Sequence, residues 1–188
     1  MNPNFLFDGD DRMFKKFSEK CRNYSEYGCG KSTIWMSKNT NANITSVDTS
    51  KEWVDAIQKQ IPENKNVLLK FIDCGPVKKW GKPIDLSKKD SFIQYAEYLW
   101  KQDVKPDMVL IDGRFRVLCF LISLKHANEN TKLIFDDYLD RSEYRIVETI
   151  LKPINFNGRQ VCFSTPKKEN LDFEKIDLLI EDYKFDIL

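Results

Sequence analysis

A glycine-rich turn between a strand pattern and a helix pattern constrains this chain more than any other feature. Residues 22–27 have the pattern of a strand, residues 28–30 form a Gly-Cys-Gly turn, and residues 31–33 (Lys-Ser-Thr) open a helix. A helix start of this kind presents backbone N–H groups that bind the charged or polar end of a ligand. The turn therefore predicts a strand–turn–helix unit that holds a nucleotide-like ligand.

The rest of the chain alternates between strand and helix patterns, which indicates an α/β fold. An Asn-Gly pair at 157–158, between two short apolar runs, predicts a hairpin near the end of the sheet. We therefore expect a Rossmann-like, doubly wound, mostly parallel sheet with a C-terminal antiparallel hairpin and helices on both faces. The run at 67–72 is almost entirely apolar, which predicts a strand buried on both faces. The expected strands after the first lie at 44–48, 67–72, 108–112 and 133–135, and the expected helices lie at 10–21, 32–38, 51–61, 91–102, 115–126 and 143–151.

The length of 188 residues predicts one domain with a sizeable core. We expect an N-terminal helix within 1–22, the sheet within 23–165 and a charged tail over 166–188. The net charge is +1 and the basic residues are scattered, which argues against a nucleic-acid partner. Five widely spaced cysteines without a Cys-x-x-Cys pair, and one histidine, argue against a zinc site or a disulfide framework. The longest apolar run, 117–122, is too short to span a bilayer and no export signal is evident, so we expect a cytoplasmic protein.

Acidic side chains end the expected strands. Parallel strands place their carboxyl ends at one edge of the sheet, where ligands of open α/β folds bind, so these acids are expected to line one site. A soluble protein without such a site would scatter its acids over both edges and the helix faces. The five acids are Glu26, Asp48, Asp73, Asp112 and Asp136.

Two known kinds of nucleotide-binding turn match the glycines incompletely. A phosphate-binding loop has the pattern Gly-x-x-x-x-Gly-Lys-Ser/Thr; here residues 30–32 match, while Ser25 replaces the first glycine. Glu26 would also place a negative charge beside the phosphates. A dinucleotide-binding turn needs a third glycine where this chain has Thr33. A kinase-like or nucleotide-hydrolysing enzyme that uses residues 30–32 is therefore an alternative.

Both departures suit S-adenosylmethionine, which has no pyrophosphate and whose ammonium and sulfonium groups are positively charged. Its aminocarboxylate would bind the helix start, and Glu26 would attract these positive charges rather than repel phosphate. Its ribose diol needs a carboxylate acceptor, for which Asp48 is placed, and its adenine amine needs an acceptor near Asp73. Asp48 is also able to cap the helix that follows it, and this alternative stays open.

Four short motifs resemble, in order, those of class I S-adenosylmethionine-dependent methyltransferases. They are Glu26-Tyr27-Gly28-Cys29-Gly30, Ser46-Val47-Asp48, Phe71-Ile72-Asp73 and Val109-Leu110-Ile111-Asp112-Gly113, within a resemblance that covers residues 24–163. The pair at 31–32 departs from the residues that many members carry after the glycines. The resemblance implies S-adenosylmethionine as the cofactor. It implies these cofactor-binding residues: Glu26, Gly28, Cys29, Gly30, Ser32, Asp48, Thr49, Asp73 and Asp112.

Three carboxylates are expected to converge at the ends of two neighbouring strands. Asp112 precedes Asp136 and Asp137 by 24 and 25 residues. Oxygen ligands of this kind suit Mg²⁺ or Mn²⁺. The pattern resembles metal-dependent O-methyltransferases, which implies an ion that orients the acceptor hydroxyl and lowers its pKa. The alternative is that Asp136 pairs with Arg141 and Asp137 caps a turn, in which case Asp112 alone accepts the proton.

Two arginines close to Asp112 are candidates for acceptor binding. Arg114 and Arg116 flank the expected site of methyl transfer and are able to hold acceptor oxygens or a phosphate bidentately; Arg114 is also a catalytic candidate. The Ile-Asp-Gly-Arg-Phe-Arg segment that contains them, paired with Asp-Asp-Tyr at 136–138, resembles small methyltransferases of glycan and polysaccharide synthesis. This resemblance implies a sugar hydroxyl as the acceptor, with Tyr138 among the acceptor-binding residues.

A long polar loop at 73–90 is the other candidate for acceptor binding. Its Trp80 is expected either to stack on a flat acceptor or to anchor the loop to the core. The expected partner is a small molecule or glycan, with a second copy of the chain or a glycan-synthesis enzyme as a further partner. A non-catalytic binding module that uses an aromatic surface of Tyr95, Tyr98 and Trp100 is the remaining alternative, against which the convergent acids argue.

Overall fold

The computed structural model of this chain describes residues 5–7 and 10–187. Residues 1–4 and 8–9 of the expected N-terminal helical segment, and residue 188 of the expected tail, lie outside that description. The strands of the described part are β1 (Asn23–Tyr27), β2 (Asn43–Asp48), β3 (Val67–Phe71), β4 (Val77–Lys78), β5 (Lys82–Pro83), β6 (Met108–Ile111), β7 (Lys132–Phe135), β8 (Asn155–Asn157) and β9 (Gln160–Ser164).

The main sheet has seven strands in the order β3-β2-β1-β6-β7-β9-β8. Neighbouring strands from β3 to β7 are parallel, while β9 runs antiparallel to both β7 and β8. The predicted hairpin of β8 and β9 forms, but its two loop residues are Gly158 and Arg159, because Asn157 is the last residue of β8 and pairs with Gln160. The order reverses beside β1, so the carboxyl ends of β1, β2 and β6 meet at the point where ligands of such sheets bind. The predicted doubly wound, mostly parallel sheet with a C-terminal hairpin is confirmed.

Helices cover both faces of this sheet. Buried side chains of α1, α2 and α3 pack on one face, and those of α4, α5 and α6 pack on the other. The helices are α1 (Arg12–Ser18), α2 (Lys31–Asn39), α3 (Lys51–Gln58), α4 (Asp90–Tyr98), α5 (Arg116–His126) and α6 (Phe173–Tyr183), and a 3₁₀ segment spans Ser142–Thr149 where an α-helix was expected. Among the described residues, no helix has the length and apolar character needed to cross a membrane.

The prediction that the third strand is buried on both faces is wrong. β3 is the edge strand, and Leu68 and Lys70 point away from the sheet into solvent. Its other face packs through Leu69 and Phe71 against Ile57 of α3. The chain winds outward from β1 through β2, so nothing in the described chain follows β3 on that side, and apolar content alone did not reveal this position.

The charged tail is an ordered part of the fold. α6 buries Ile176 and Ile180 against the face that α5 covers. Lys125 of α5 pairs with Asp177 of α6 at 2.5 Å. Beyond α6, the ring centroid of Phe185 lies 4.8 Å from the Lys89 ammonium. The chain after α6 therefore lies beside the start of α4.

Candidate active site

The glycine turn after β1 lies directly against the turn after β6. Gly28 has a φ of +90°, a left-handed conformation that glycine adopts without strain. A Cβ at Gly28 would lie 2.8 Å from Gly113 Cα. One at Gly113 would lie 2.2 Å from the Tyr95 hydroxyl oxygen and 2.7 Å from the Gly28 nitrogen. Both positions therefore require glycine, and their contact joins the ends of β1 and β6 into one rim.

Gly30 stands on the open side of this turn, at the start of α2. No heavy atom lies within 4 Å of the place where its Cβ would be. Its N–H donates a hydrogen bond of 2.8 Å to the Thr33 hydroxyl, which fixes the first turn of the helix. The first N–H groups of a helix have no partner inside the helix and carry partial positive charge. The space beside Gly30 therefore fits the carboxylate end of a small ligand.

Glu26 lies beneath the turn, not in the cleft. Its side chain is fully buried and accepts hydrogen bonds from the hydroxyls of Tyr24 (2.7 Å), Ser32 (2.6 Å) and Thr33. Burial raises the pKa of Glu26, and these hydroxyl donors act in the opposite direction. The structure thus corrects the expectation that the Glu26 carboxylate and the Ser32 hydroxyl face the cofactor. Side chains alternate along β1, so residue 26 points toward α2, where Ser32 meets it.

Asp48 joins the end of β2 to the glycine turn. One carboxylate oxygen accepts the Cys29 N–H at 3.1 Å, and the other accepts the Ser50 N–H at 2.9 Å. Ser50, not Asp48, caps α3, because its side chain accepts the Trp53 N–H. Burial raises the pKa of Asp48, while the backbone donors act in the opposite direction. Each oxygen of this carboxylate has a further lone pair for a ligand hydroxyl.

The loop that follows β3 folds back over the end of β2. Its β4–β5 ribbon carries Trp80 and Gly81 at the tip. The Thr49 hydroxyl donates a hydrogen bond of 2.6 Å to the Gly81 carbonyl, so Thr49 is covered and its hydroxyl is engaged. Trp80 is 69% exposed, which shows that the alternative of a core anchor is wrong. The hydrogen bond of Thr49 anchors the loop instead.

Asp73 lies just beyond β3, at the start of this loop. It is exposed, pairs with Lys88, and accepts the Gly75 N–H at 3.0 Å. The hydrogen bond from Lys88 lowers the pKa of Asp73, which therefore stays ionised. Its position at the end of β3 is the predicted one, and its role as an adenine contact stays a prediction.

The three carboxylates of Asp112, Asp136 and Asp137 converge as predicted, with oxygens within 4.8 Å of one another. Two guanidiniums lie among them. Arg116 binds Asp112 and Asp137, each at 3.0 Å. Arg159 binds Asp136 at 2.6 Å and Asp137 at 3.0 Å. Burial, with the charges of Asp136 and Asp137, raises the pKa of Asp112 well above its ordinary value, and Arg116 acts against this.

This arrangement does not fit Mg²⁺ or Mn²⁺. Both oxygens of Asp136 accept hydrogen bonds from Arg159, and both oxygens of Asp137 are paired with arginines. A divalent ion needs several of these oxygens at about 2.1 Å and would have to displace the guanidiniums. The positive charge that the sequence pattern assigned to a metal is supplied here by Arg116 and Arg159. The alternative pairing of Asp136 with Arg141 is also wrong, because Arg141 approaches Asp137, at 3.8 Å.

Arg116 is a structural part of this cluster and does not present a free guanidinium to an acceptor. Its side chain is buried, and it donates to the carbonyls of Gly113 (3.0 Å), Asp136 (2.7 Å) and Asp112 (2.9 Å) besides its two carboxylate partners. The predicted acceptor contact of Arg116 is therefore corrected. Its place at the first position of α5 turns the side chain across the strand ends, where five acceptors converge.

Arg114 has the opposite environment. Its Nε is buried and has no hydrogen-bond partner among the described residues. Burial and the charge of Arg116 lower the pKa of Arg114. The charges of Arg114 and Asp48 act on each other, and the charge of Asp112 also acts on the Arg114 guanidinium. A buried donor without a partner is costly and calls for a ligand acceptor.

Three of the aromatic residues proposed for ligand or partner contact, Tyr138, Tyr95 and Trp100, belong to the core. Tyr138 is 1% exposed, donates to Glu148 at 3.1 Å, and packs on Phe135, so its predicted acceptor contact is corrected. Tyr95 and Trp100 are also buried, which removes the aromatic surface suggested for a non-catalytic binding module. These rings lie on the inner faces of their segments, where the sheet covers them.

Two residues with a clear place at the rim were missed by the sequence analysis. Arg159 was missed because no motif marks it, although it lies in the two-residue loop between β8 and β9, next to the end of β7. Trp53 of α3 is 48% exposed, and its indole N–H donates to the Cys29 carbonyl at 2.6 Å. Antiparallel register gives the only sequence signal for Arg159, and none exists for Trp53.

We expect Gly113→Ala to destabilise the protein by about 1–3 kcal/mol, because the new methyl group must displace the Gly28 backbone or Tyr95. Gly30→Ala is the matched control. Its methyl group enters open space, so its free energy of unfolding is expected to match that of the parent protein within error. Urea unfolding of both variants measures this. Equal stability of the two variants would contradict the packing described for the rim.

Comparison with known proteins places the fold. No family model and no curated protein matches the sequence. Among solved structures, a methyltransferase-like protein from Silicibacter pomeroyi is similar with a TM-score of 0.80 and 26% identity, covering 93% of this chain and 92% of that one.

Two more distant structures are similar in fold alone. The N-methyltransferase NodS from Bradyrhizobium japonicum, in complex with S-adenosyl-L-homocysteine, has a TM-score of 0.55 and 11% identity over 86% of this chain and 91% of its own. A Staphylococcus aureus protein provisionally named a caffeoyl-CoA O-methyltransferase has a TM-score of 0.54 and 12% identity over 81% and 78%. The chain therefore has a methyltransferase fold over most of its length.

Proposed function

We propose that this protein is an S-adenosylmethionine-dependent methyltransferase that methylates a hydroxyl oxygen. The observation that carries the proposal is the position of the Asp112 carboxylate at the end of β6, beside the contact between Gly28 and Gly113. This carboxylate is 31% exposed, so it is open to an acceptor, while Asp136 is fully buried. A carboxylate at this place is a candidate proton acceptor that lies directly beside the candidate cofactor turn.

The residues of the rim fit the cofactor. The open space beside Gly30 and the start of α2 suit its carboxylate. The half-buried Asp48 suits the ribose diol, and Asp73 lies at the end of the next strand for the nucleobase. When bound, S-adenosylmethionine supplies a methyl group on a positively charged sulfur, which an oxygen nucleophile attacks. The Glu26 network holds the turn from below and does not contact the ligand in this proposal.

Asp112 accepts the proton of the acceptor hydroxyl. Its raised pKa makes it a stronger base than an ordinary aspartate, because burial and the nearby acids favour its protonated form. Arg116 fixes the carboxylate in place through one oxygen at 3.0 Å. The other oxygen is the one that faces the acceptor in this proposal. No metal takes part in the step.

A sugar or glycan hydroxyl is the acceptor class that we propose. The two segments that carry the narrower resemblance end neighbouring strands, β6 and β7, and Arg116 links them. Arg114 is the side chain that we assign to acceptor oxygens, because its buried Nε lacks a partner in the described chain. An acceptor rich in oxygens satisfies this donor.

A phosphate-binding loop is less well supported. Such a loop uses its Ser or Thr hydroxyl to bind a magnesium ion. Here the Ser32 hydroxyl donates to the buried Glu26 at 2.6 Å and is turned away from the cleft. A negative charge directly beneath the turn also opposes phosphate binding.

Transfer of a radiolabelled methyl group from S-adenosylmethionine tests the proposal. The protein is incubated with panels of sugars, catechols and amines, and the labelled product is treated to distinguish ethers from methylamines. We expect label in an ether product. Label in methylamines alone would overturn the assignment to oxygen, and absence of any transfer together with absence of cofactor binding would overturn methyl transfer itself.

We expect methyl transfer to continue in the presence of a chelator. Asp136 and Asp137 are paired with arginines, so removal of divalent ions takes nothing from the proposed step. Rates are measured after dialysis against EDTA, and then with added Mg²⁺ or Mn²⁺. A loss of activity that either ion restores would contradict this arrangement and would show that the three carboxylates form a metal site.

A further inference from the structure

The ribbon of β4 and β5 carries an exposed tryptophan over the end of β2. We propose that Trp80 binds the nucleobase of the cofactor and is not an acceptor-binding residue. This inference rests on the proposed function, because it names a purine-binding residue of the same site. It reverses the expectation that the loop recognises the acceptor.

Gly81, the residue after Trp80, is hydrogen-bonded to Thr49, which directly follows β2, and lies close to Asp48, the last residue of β2. Gly81 has a φ of +66°, and a Cβ there would lie 2.4 Å from the Thr49 hydroxyl oxygen and 3.5 Å from an Asp48 carboxylate oxygen. The hydrogen bond from Thr49 to the Gly81 carbonyl holds this approach. The tip of the ribbon is therefore fixed beside the carboxylate that we assign to the ribose.

Trp80 has a backbone conformation that is unusual for a large side chain. Its φ is +68° and its ψ is 25°, in the left-handed region. Hairpin turns with two successive positive φ values favour Asn-Gly, and a bulky residue at the first position is strained. Strain of this kind persists where the surrounding structure holds it, and it concentrates at ligand sites. The antiparallel pairing of Lys78 with Lys82 holds the turn that contains Trp80 in this conformation.

The indole ring is available for stacking. Trp80 is 69% exposed, and the Lys79 ammonium lies 5.1 Å from the ring centroid. A tryptophan that served only to stabilise the fold would be expected to be buried. The exposure of Trp80 on a fixed ribbon therefore indicates that its ring contacts a ligand. Aromatic side chains stack on the flat face of any nucleobase, whatever hydrogen-bonding groups the base carries. A purine is therefore a suitable partner for this ring.

The order of the strands separates this ribbon from the acceptor side. β1 lies between β2, over which the ribbon folds, and β6, which Asp112 follows. Two strand spacings amount to roughly 10 Å. The ribbon instead spans the gap from Asp73, at the end of β3, to Thr49, at the end of β2. This gap is where the ribose and purine lie if Asp48 binds the diol.

Binding of S-adenosylhomocysteine by calorimetry and by tryptophan fluorescence tests the inference. We expect Trp80→Ala to raise the Kd by about tenfold or more. Trp80→Phe keeps an aromatic ring, so its Kd should stay within about threefold of the parent value, while the fluorescence quenching on binding should be smaller than in the parent protein, with Trp53 of the rim as the remaining reporter. Leu86→Ala, an exposed apolar change in the same loop, is the matched control and should alter neither readout.

Three results separate the possible failures. An unchanged Kd in a folded Trp80→Ala, or quenching in Trp80→Phe as large as in the parent protein, would overturn the role of Trp80 while leaving the methyltransferase proposal intact. A raised acceptor KM with an unchanged cofactor Kd would place Trp80 at the acceptor and overturn the inference. Absence of cofactor binding by the parent protein would overturn both. If Trp80→Ala does not fold, the fluorescence of Trp80→Phe decides.

Discussion

Asp112→Asn is expected to lower kcat for methyl transfer by about 10²- to 10⁴-fold, the range that general-base catalysis supplies. Asparagine has nearly the same shape but does not accept a proton from the hydroxyl. It also removes one of three mutually repelling carboxylates, so the fold is not expected to weaken. The Kd for S-adenosylhomocysteine should change by less than about threefold, because the turn at Gly28 and the carboxylate of Asp48 are untouched.

The control is Asp107→Asn, at the opposite end of the same strand. Asp107 accepts the N–H groups of Arg22 and Asn23 at the amino edge of the sheet, and asparagine keeps one acceptor oxygen there. Its kcat should equal that of the parent protein. An Asp112→Asn enzyme with undiminished kcat, measured with saturating acceptor, would remove Asp112 from the proton transfer.

The pH dependence has the same origin. Because burial and neighbouring acids raise the pKa of Asp112, the proton-accepting form is lost at a higher pH than for an ordinary aspartate of pKa about 3.9. In the parent enzyme, kcat/KM should therefore rise with pH through that raised pKa, and the residual rate of Asp112→Asn should lack this limb.

Arg116→Met is expected to destabilise the protein by about 3–5 kcal/mol, since removal of one partner leaves buried charges uncompensated. Arg116 is 4% exposed and donates to two carboxylates and three backbone carbonyls at the ends of β6 and β7. Methionine fills similar volume but pairs with none of these acceptors. Urea unfolding at neutral pH measures the change in the free energy of unfolding.

Arg141→Met is the matched control, because Arg141 approaches the same Asp137 from a 40%-exposed position at 3.8 Å. Pairs of this exposed kind contribute about 0–1 kcal/mol. Arg116 lowers the pKa of Asp112, so its loss raises that pKa further in the folded state, and protonation of Asp112 then favours the folded state. The deficit of Arg116→Met should therefore shrink as pH falls below the raised pKa of Asp112 and grow as pH increases. A deficit like that of Arg141→Met would show that Arg116 does not hold the cluster.

Much of the fold was predictable because each local pattern agreed with the global arrangement. Alternating strand and helix patterns predicted the parallel sheet, and the Asn-Gly turn predicted the hairpin of β8 and β9. The edge position of β3 was not predictable from its apolar residues. It depends on the direction in which the chain winds from β1, and Leu68 is exposed for that reason alone.

The site was predictable as a set of strand ends but not as a set of contacts. The position of Asp48, Asp112 and Asp136 follows from strand order. Which side chains are free does not follow from it. Arg114 and Arg116 are two residues apart, yet one has an unpartnered buried nitrogen and the other is saturated. That difference depends on the helix that begins at Arg116 and on Arg159, which reaches the cluster from the loop between β8 and β9.

Calorimetric titration with S-adenosylhomocysteine and, separately, with ATP and Mg²⁺ tests the central claim most directly. We predict one site for S-adenosylhomocysteine with a Kd on the order of micromolar, no heat from ATP, and weaker binding in Gly30→Ala, whose methyl group enters the open space at the turn. Saturable binding of ATP with no response to S-adenosylhomocysteine would contradict the account and would make the turn a phosphate-binding loop.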